Sequence, residues 1–159
     1  LKRFLRKIKN PRREIYLILE NIQYATNVAS IFRTAEAFKV KKIFLTGTTK
    51  TPPFGKELRK VSRNKEERVP WEYKTTGDAI NKLKNKGYTI IALEITDESQ
   101  YPERITDERI ALVLGNEAHG VVRKTLEAVD KSMFIPMYGK GSSLSVGVAA
   151  GIALYSLTS

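Results

Sequence analysis

The sequence predicts an α/β protein built on a mainly parallel sheet flanked by helices. Segments with strand character alternate with segments of helical periodicity along the chain. Residues 15–19, 88–93 and 110–114 are aliphatic runs too dense for a sheet with one wet face. The chain also ends in a helix of small and apolar residues, which needs cover on nearly every side.

Residues 15–19 open the sheet as a buried strand. Residues 26–38 follow as a helix, because Val28, Ile31, Phe32, Ala35 and Phe38 recur at spacings of three and four. Residues 42–45 make a second strand, and 46–54 a loop carrying Pro52 and Pro53. Residues 56–61 form a short helix before a turn at Ser62, Arg63 and Asn64. Residues 69–73 read as a strand, which Pro70 limits to an edge or a strand start. Residues 75–86 are helical, with Thr75 and Asp78 set as a capping box and Gly87 as the C-terminal cap. Then come strands at 88–93 and 110–114, a short helix at 121–129 and a last strand at 133–137. The final helix starts at about Ser143, after a loop rich in Gly and Ser. Ligands of open parallel sheets sit beyond the carboxyl ends of strands. Three loops at such ends stand out: one from Glu94, one over 115–120 and one over 136–143. Their convergence would form one pocket.

At 159 residues and 42% hydrophobic content, the chain fits one globular domain. Cysteine is absent, which excludes disulfides and thiolate metal sites. His119 is the single histidine, so no metal site or Ser-His triad finds support, and His119 reads as a loop residue. No apolar run reaches the roughly 18 residues of a membrane span. The basic N-terminus lacks the apolar block of a signal peptide. The expectation is therefore a cytoplasmic protein with no membrane partner. The net charge of +11 points to a polyanionic partner, nucleic acid first. Lys2, Arg3, Arg6, Lys7, Lys9, Arg12 and Arg13 form one basic block, and residues 1–13 are set apart as a basic segment before a domain at 14–159. Lys50, Lys56, Arg59, Lys60, Arg63, Lys65 and Arg68 form a second block. Two separated blocks suit an extended phosphate-tracking surface.

Several chemistries lose support. No Walker pattern, no GxGxxG after the first strand, no nucleophile elbow and no HExxH is present. What remains is a polar ridge on the first helix, where Asn27, Ser30 and Arg33 recur every three residues. An arginine there can bind phosphate with its planar fork.

Three blocks occur in order: Glu20-Asn21-Ile22 leading to the stretch 27–35, the stretch 112–120 around Gly115-Asn116-Glu117, and the stretch 135–155. With Val61-Ser62-Arg63-Asn64 between them, they resemble the SpoU-type (TrmH-like) RNA ribose 2′-O-methyltransferases of the SPOUT superfamily. The resemblance implies a deep C-terminal trefoil knot, which the periodicity alone does not supply. It implies S-adenosylmethionine as methyl donor, tRNA or rRNA as substrate, and a homodimer that buries the final helix. It implies catalytic roles for Arg33, Asn27, Glu117 and Ser143. Leu93, Glu94, Leu114, Gly115, Asn116, Ile135, Met137, Ser143 and Leu144 are then expected to hold the cofactor. Arg63, Arg12, Arg13 and Ser145 are expected on the RNA side. The family usually carries Asn where this chain has Ser145. That departure leaves a second reading open, a knotted RNA-binding or assembly module with little or no methyl transfer.

Overall fold

The computed structural model describes residues 10–141 and 143–159; the basic residues Lys2 to Lys9 lie outside the described residues. The elements run β1 (Glu14–Glu20), α1 (Ala25–Ala37), β2 (Ile43–Thr46), α2 (Lys56–Ser62), β3 (Trp71–Tyr73), α3 (Thr76–Asn85), β4 (Thr89–Leu93), β5 (Arg109–Leu114), α4 (Arg123–Ala128), β6 (Lys131–Met133) and α5 (Val146–Thr158). Short 3₁₀ turns at Lys65–Glu67 and Pro102–Arg104 interrupt the longer connections.

The six strands form one sheet in the order β3-β2-β1-β5-β4-β6, with every pairing parallel. β1 and β5 are the central pair, in register from Glu14 opposite Arg109 to Leu19 opposite Leu114. Alternation along β1 sends Ile15, Leu17 and Leu19 to one face and Ile18 to the other. The first face is covered by α1 and α5, through Val28, Ile31, Phe32 and Ala35 from one and Ala150, Ala153, Leu154 and Leu157 from the other. The second face is covered mainly by α3, through Ala79, Ile80 and Leu83. Burial on both faces is what the dense aliphatic runs require.

Local signals place the helix ends. Thr75 Oγ1 accepts from the Asp78 amide at 3.2 Å, which is one half of the expected capping box. Gly87 follows α3 with φ at +84°, where glycine is least strained. Arg63 and Asn64 both take left-handed backbone, which makes the turn after α2.

The last strand is corrected from residues 133–137 to Lys131–Met133. Met133 is the final residue paired with β4, opposite Leu93. The Phe134 amide then donates to Gln100 O, so the chain leaves the sheet, and Pro136 has no amide to offer a ladder. Lys131 and Ser132 carry no apolar signal, which hid the true start. The final helix begins three residues later than expected, at Val146, with Ser145 as its N-cap.

Candidate functional site

A cavity of about 370 Å³ opens beyond the carboxyl ends of β4, β5 and β6. The size suits a small-molecule site. The three loops singled out in the sequence converge there. Leu93 and Glu94 come from the end of β4, Leu114, Gly115 and Asn116 from the end of β5, and Ile135, Met137, Ser143 and Leu144 from the loop before α5. All nine residues expected to hold the cofactor therefore line one cavity. Ile95, Phe134, Val146 and Ala149 line it as well. The resemblance did not name these four, and none of them has a polar side chain that would have singled it out in the sequence.

The loop after β5 is tightly built. Asn116 and Gly120 exchange backbone hydrogen bonds at 3.1 and 2.8 Å. Asn116 Oδ1 accepts from the Ala118 and His119 amides, and its Nδ2 donates to Asn21 O at 2.8 Å. A Cβ on Gly115 would lie 2.4 Å from Gly120 C and from Val121 N, so only glycine fits. The Glu94 carboxylate accepts from the Val121 and Ile95 amides, both at 3.0 Å, and closes the loop from the β4 side. His119 is exposed in this loop, as expected.

Glu117 reaches from this loop to the start of α1. Its two oxygens accept from the Gln23 and Tyr24 amides at 2.9 Å each, and Asn27 Nδ2 donates to it at 3.4 Å. The first turn of α1 has no acid of its own and no side-chain cap. Glu117 supplies both the acceptors and the negative charge that a helix N-terminus favours. The sequence-expected pair Asn27 and Glu117 is thus brought together at the rim of the cavity.

Arg33 stands six residues beyond Asn27, or about 9 Å along the helix axis. It is exposed, with no ion pair or hydrogen bond among the described residues, and does not line the cavity. On the same ridge, α1 receives α5 closely. A Cβ on Gly147 would lie 3.2 Å from Ser30 Oγ and 3.6 Å from Asn27 Oδ1, and one on Gly151 would lie 3.8 Å from Thr34 Cγ2. The glycines of α5 let it approach the face that carries Arg33.

Ser143 is exposed on the cavity wall. Ser145 Oγ accepts from the Val148 amide at 3.3 Å and caps α5. Arg63 is exposed in a separate cleft with Lys56, Arg59 and Lys60. Arg12 is exposed. Arg13 is a correction: it is only 8% exposed and is not available to RNA. Its guanidinium donates to Asp107 O at 2.7 Å, Leu157 O at 2.8 Å and Ile105 O at 2.6 Å. Burial, and then the neighbouring Arg12 charge, lower its pKa from the ordinary arginine value. Its charge sits at the C-terminal end of α5, where the helix dipole favours a cation.

Among the described residues no helix is long and apolar enough to cross a membrane. The chain is 30% identical over 141 residues to the 23S rRNA (guanosine(2553)-2′-O)-methyltransferase RlmP of Bacillus subtilis, covering 89% of this chain and 56% of that protein. It is 29% identical over 160 residues to the tRNA (guanosine(18)-2′-O)-methyltransferase of Aquifex aeolicus, covering 98% of this chain and 74% of that one. Among solved structures, the AdoMet-bound rRNA methyltransferase from Sinorhizobium meliloti superposes with a TM-score of 0.83 at 27% identity, over 96% of this chain and 59% of that one. The A. aeolicus TrmH/SpoU tRNA modifying enzyme gives 0.81 at 26% identity, over 99% of this chain and 80% of that one. The chain therefore spans little more than half the length of some relatives and about three quarters of others. The sequence profile of the SpoU rRNA methylases matches residues 14–155, so the parallel sheet, the tight loop after β5 and the cavity beside it are those of a chain that belongs to the SpoU rRNA Methylase family.

Proposed function

We propose that this chain transfers a methyl group from S-adenosylmethionine to a ribose 2′-hydroxyl of tRNA or rRNA, as a homodimer. The observation that carries the reading is the convergence of all nine expected cofactor residues on one cavity, joined through Glu117 to the helix that bears Arg33.

The cavity fits the donor chemically. Leu93, Leu114, Ile135, Met137 and Leu144 offer apolar walls for a flat base, and the turn at 115–120 with the backbone of Ile135, Met137, Ser143 and Leu144 offers polar groups for the sugar and the amino-acid end. The knot implied by the resemblance belongs to this proposal, with these same loops forming it. When bound, the donor supplies an electrophilic methyl on a sulfonium that leaves readily. Arg33 binds the phosphate beside the target ribose and stabilises negative charge developing on the 2′-oxygen. Its guanidinium stays protonated, so it does not take the hydroxyl proton, which passes to solvent water as the methyl bond forms. Glu117 and Asn27 hold the start of α1 and so set where Arg33 stands. Ser143 is placed to contact substrate or donor from the cavity wall. Ser145 keeps the helix cap, a role for which serine is as suitable as asparagine.

The dimer reading rests on the outer face of α5. Val148, Ile152 and Tyr155 are exposed at helical spacing, with Leu144 just before them. A second copy would cover this stripe.

The test is a titration with S-adenosylmethionine, followed by single-turnover transfer of labelled methyl to bulk tRNA and rRNA. Saturable binding and a product ribose resistant to alkaline cleavage are expected. Folded protein that binds no S-adenosylmethionine would end the reading. Binding without transfer would favour the RNA-binding module.

A further inference from the structure

The outer strand β3 carries two aromatic side chains with little cover. Trp71 is 36% exposed and Tyr73 54%. They flank Glu72, so the strand period puts both rings on one face, roughly 6.6 Å apart along the chain. Stacked bases lie about 3.4 Å apart, so each ring has room for a base of its own. Glu72 points the other way, to Lys42 and Lys82. The tyrosine is held in place, because its hydroxyl donates to Gly47 O at 2.9 Å. Trp71 lines a small cavity with Pro52, Pro53, Phe54 and Arg59. Phe54 and Arg59 also line the adjoining cleft, which holds Lys56, Lys60 and Arg63. In that cleft Lys60 meets Glu57 at 3.3 Å and Arg59 meets Glu67 at 3.1 Å, while Lys56 and Arg63 make no ion pair among the described residues. The cleft therefore keeps an excess of positive charge beside the rings.

These features select the occupant. Among residues 41–80 the exposed large hydrophobic side chains are Trp71 and Tyr73, with no aliphatic one beside them. An aliphatic patch would suit a membrane or a protein partner. Flat rings next to unpaired cations suit bases joined by phosphates. Pairing with a further protein strand is opposed by the shortness of β3 and by Pro70 before it, which has no amide to offer. The strands are all parallel, so Tyr73 stands at the same end of the sheet as the cofactor cavity. Three strand spacings, or about 14 Å, separate β3 from β5. Asn21 joins the two places. Its Oδ1 accepts from the Thr48 amide at 3.0 Å, next to Gly47, and its carbonyl accepts from Asn116 Nδ2 at 2.8 Å.

We propose that Trp71 and Tyr73 are a stacking platform for bases of single-stranded RNA that flanks the methylated nucleotide. The inference rests on the RNA reading above. Each ring takes the face of one base, and the phosphates run into the cleft of Lys56, Arg59, Lys60 and Arg63.

Trp71 is the single tryptophan of the chain, so its fluorescence reports on the platform with no substitution. The probes are a riboadenylate hexamer, an abasic hexamer with the same phosphates, and vesicles of phosphatidylglycerol. The adenylate hexamer should quench Trp71 saturably. Anisotropy of labelled hexamers should show it bound at least about fivefold more tightly than the abasic one. Trp71→Ala and Tyr73→Ala should each erase most of that gap, and Tyr73→Phe, which keeps the ring, should preserve it. Unchanged S-adenosylmethionine affinity in these variants shows that they are folded. Absence of quenching by the adenylate hexamer overturns the inference, whether or not the hexamer binds. Equal affinity for the abasic hexamer overturns it too, as does a gap that persists in both alanine variants. A shift of Trp71 emission with vesicles and none with RNA assigns the patch to a membrane surface instead. Because the quenching needs no substitution, a misfolded variant does not spare the idea. Bulk tRNA, run in parallel at low salt, separates the two levels. If tRNA binds and Trp71 does not respond, only this inference falls. If no RNA binds at all, the RNA reading falls with it.

Discussion

Arg33 is exposed and unpaired among the described residues, on a helix whose start is fixed by Glu117. A guanidinium held in that way is available to a phosphate without first breaking an ion pair. Arg33→Ala is expected to leave folding and S-adenosylmethionine affinity intact and to slow single-turnover transfer by about 100-fold, or roughly 3 kcal/mol. Arg33→Lys should restore little, because an ammonium lacks the planar fork. Near-normal rates in Arg33→Ala would reduce it to a surface charge. Glu117 makes a different prediction. Glu117→Ala strips two acceptors from the start of α1 and should cost about 1–2 kcal/mol in denaturant unfolding, together with lost transfer. Unchanged stability would show that the cap is dispensable. The three loops that meet at the cavity were legible as unusual segments at the carboxyl ends of parallel strands, whereas the individual cavity residues were expected only from the family resemblance. The burial of Arg13 was not legible, because seven cations in a row of thirteen residues look alike until the fold closes over one of them.

Elements were legible where periodicity and punctuation agreed. α3 has an apolar stripe, a threonine cap and a terminal glycine, and its limits came out within a residue or two. β6 has three residues and two of them are polar, so its position is set by pairing with β4 and not by its own composition. The edge strand β3 shows how charge replaces burial. Glu72 on β3 meets Lys42 at 2.8 Å, Lys74 at 3.2 Å and Lys82 at 3.6 Å. Hydrogen bonds from Lys42 and then Lys74 hold its pKa at about 2, below the ordinary 4.5. A carboxylate with a depressed folded-state pKa stabilises the fold above its unfolded value. That contribution fades as pH falls from about 4.5 through about 2. Melting curves of Glu72→Gln should therefore lie below those of the unaltered chain at neutral pH and merge with them near pH 2. The gap should be small, since the cluster is open to solvent. A gap that persists unchanged at pH 2 would assign it to packing instead.

At the scale of the whole molecule, the parallel sheet was legible and its strand order was not. Aliphatic density reports that a strand is buried on both faces, but nothing in a strand's own residues names its neighbours. The outer face of α5 belongs to this scale too. Its moderate exposure of Val148, Ile152 and Tyr155 is a liability for a monomer. Sedimentation at micromolar concentration should give twice the 18.0 kDa chain mass. Ile152→Glu should shift the protein toward monomer by placing a charge in the covered stripe. A monomeric unaltered chain would remove the dimer from the proposal.

The central β1–β5 pairing also sets an order of events in time. β1, β2 and β3 lie within residues 14–73, and β4, β5 and β6 within residues 89–133, so each half of the sheet is continuous in sequence. The halves share one seam, from Glu14 opposite Arg109 to Leu19 opposite Leu114. Pairings inside a half close shorter loops than the seam does, and loop closure over long separations slows folding. Each half can therefore begin to pair before the seam zips. The clasp of Glu117 on Gln23 and Tyr24 crosses that seam, so it forms only after the halves have met. A newly made chain would acquire its sheet in two instalments and its ligand site last, when the helix that bears Arg33 is finally fastened to the loop that lines the cavity.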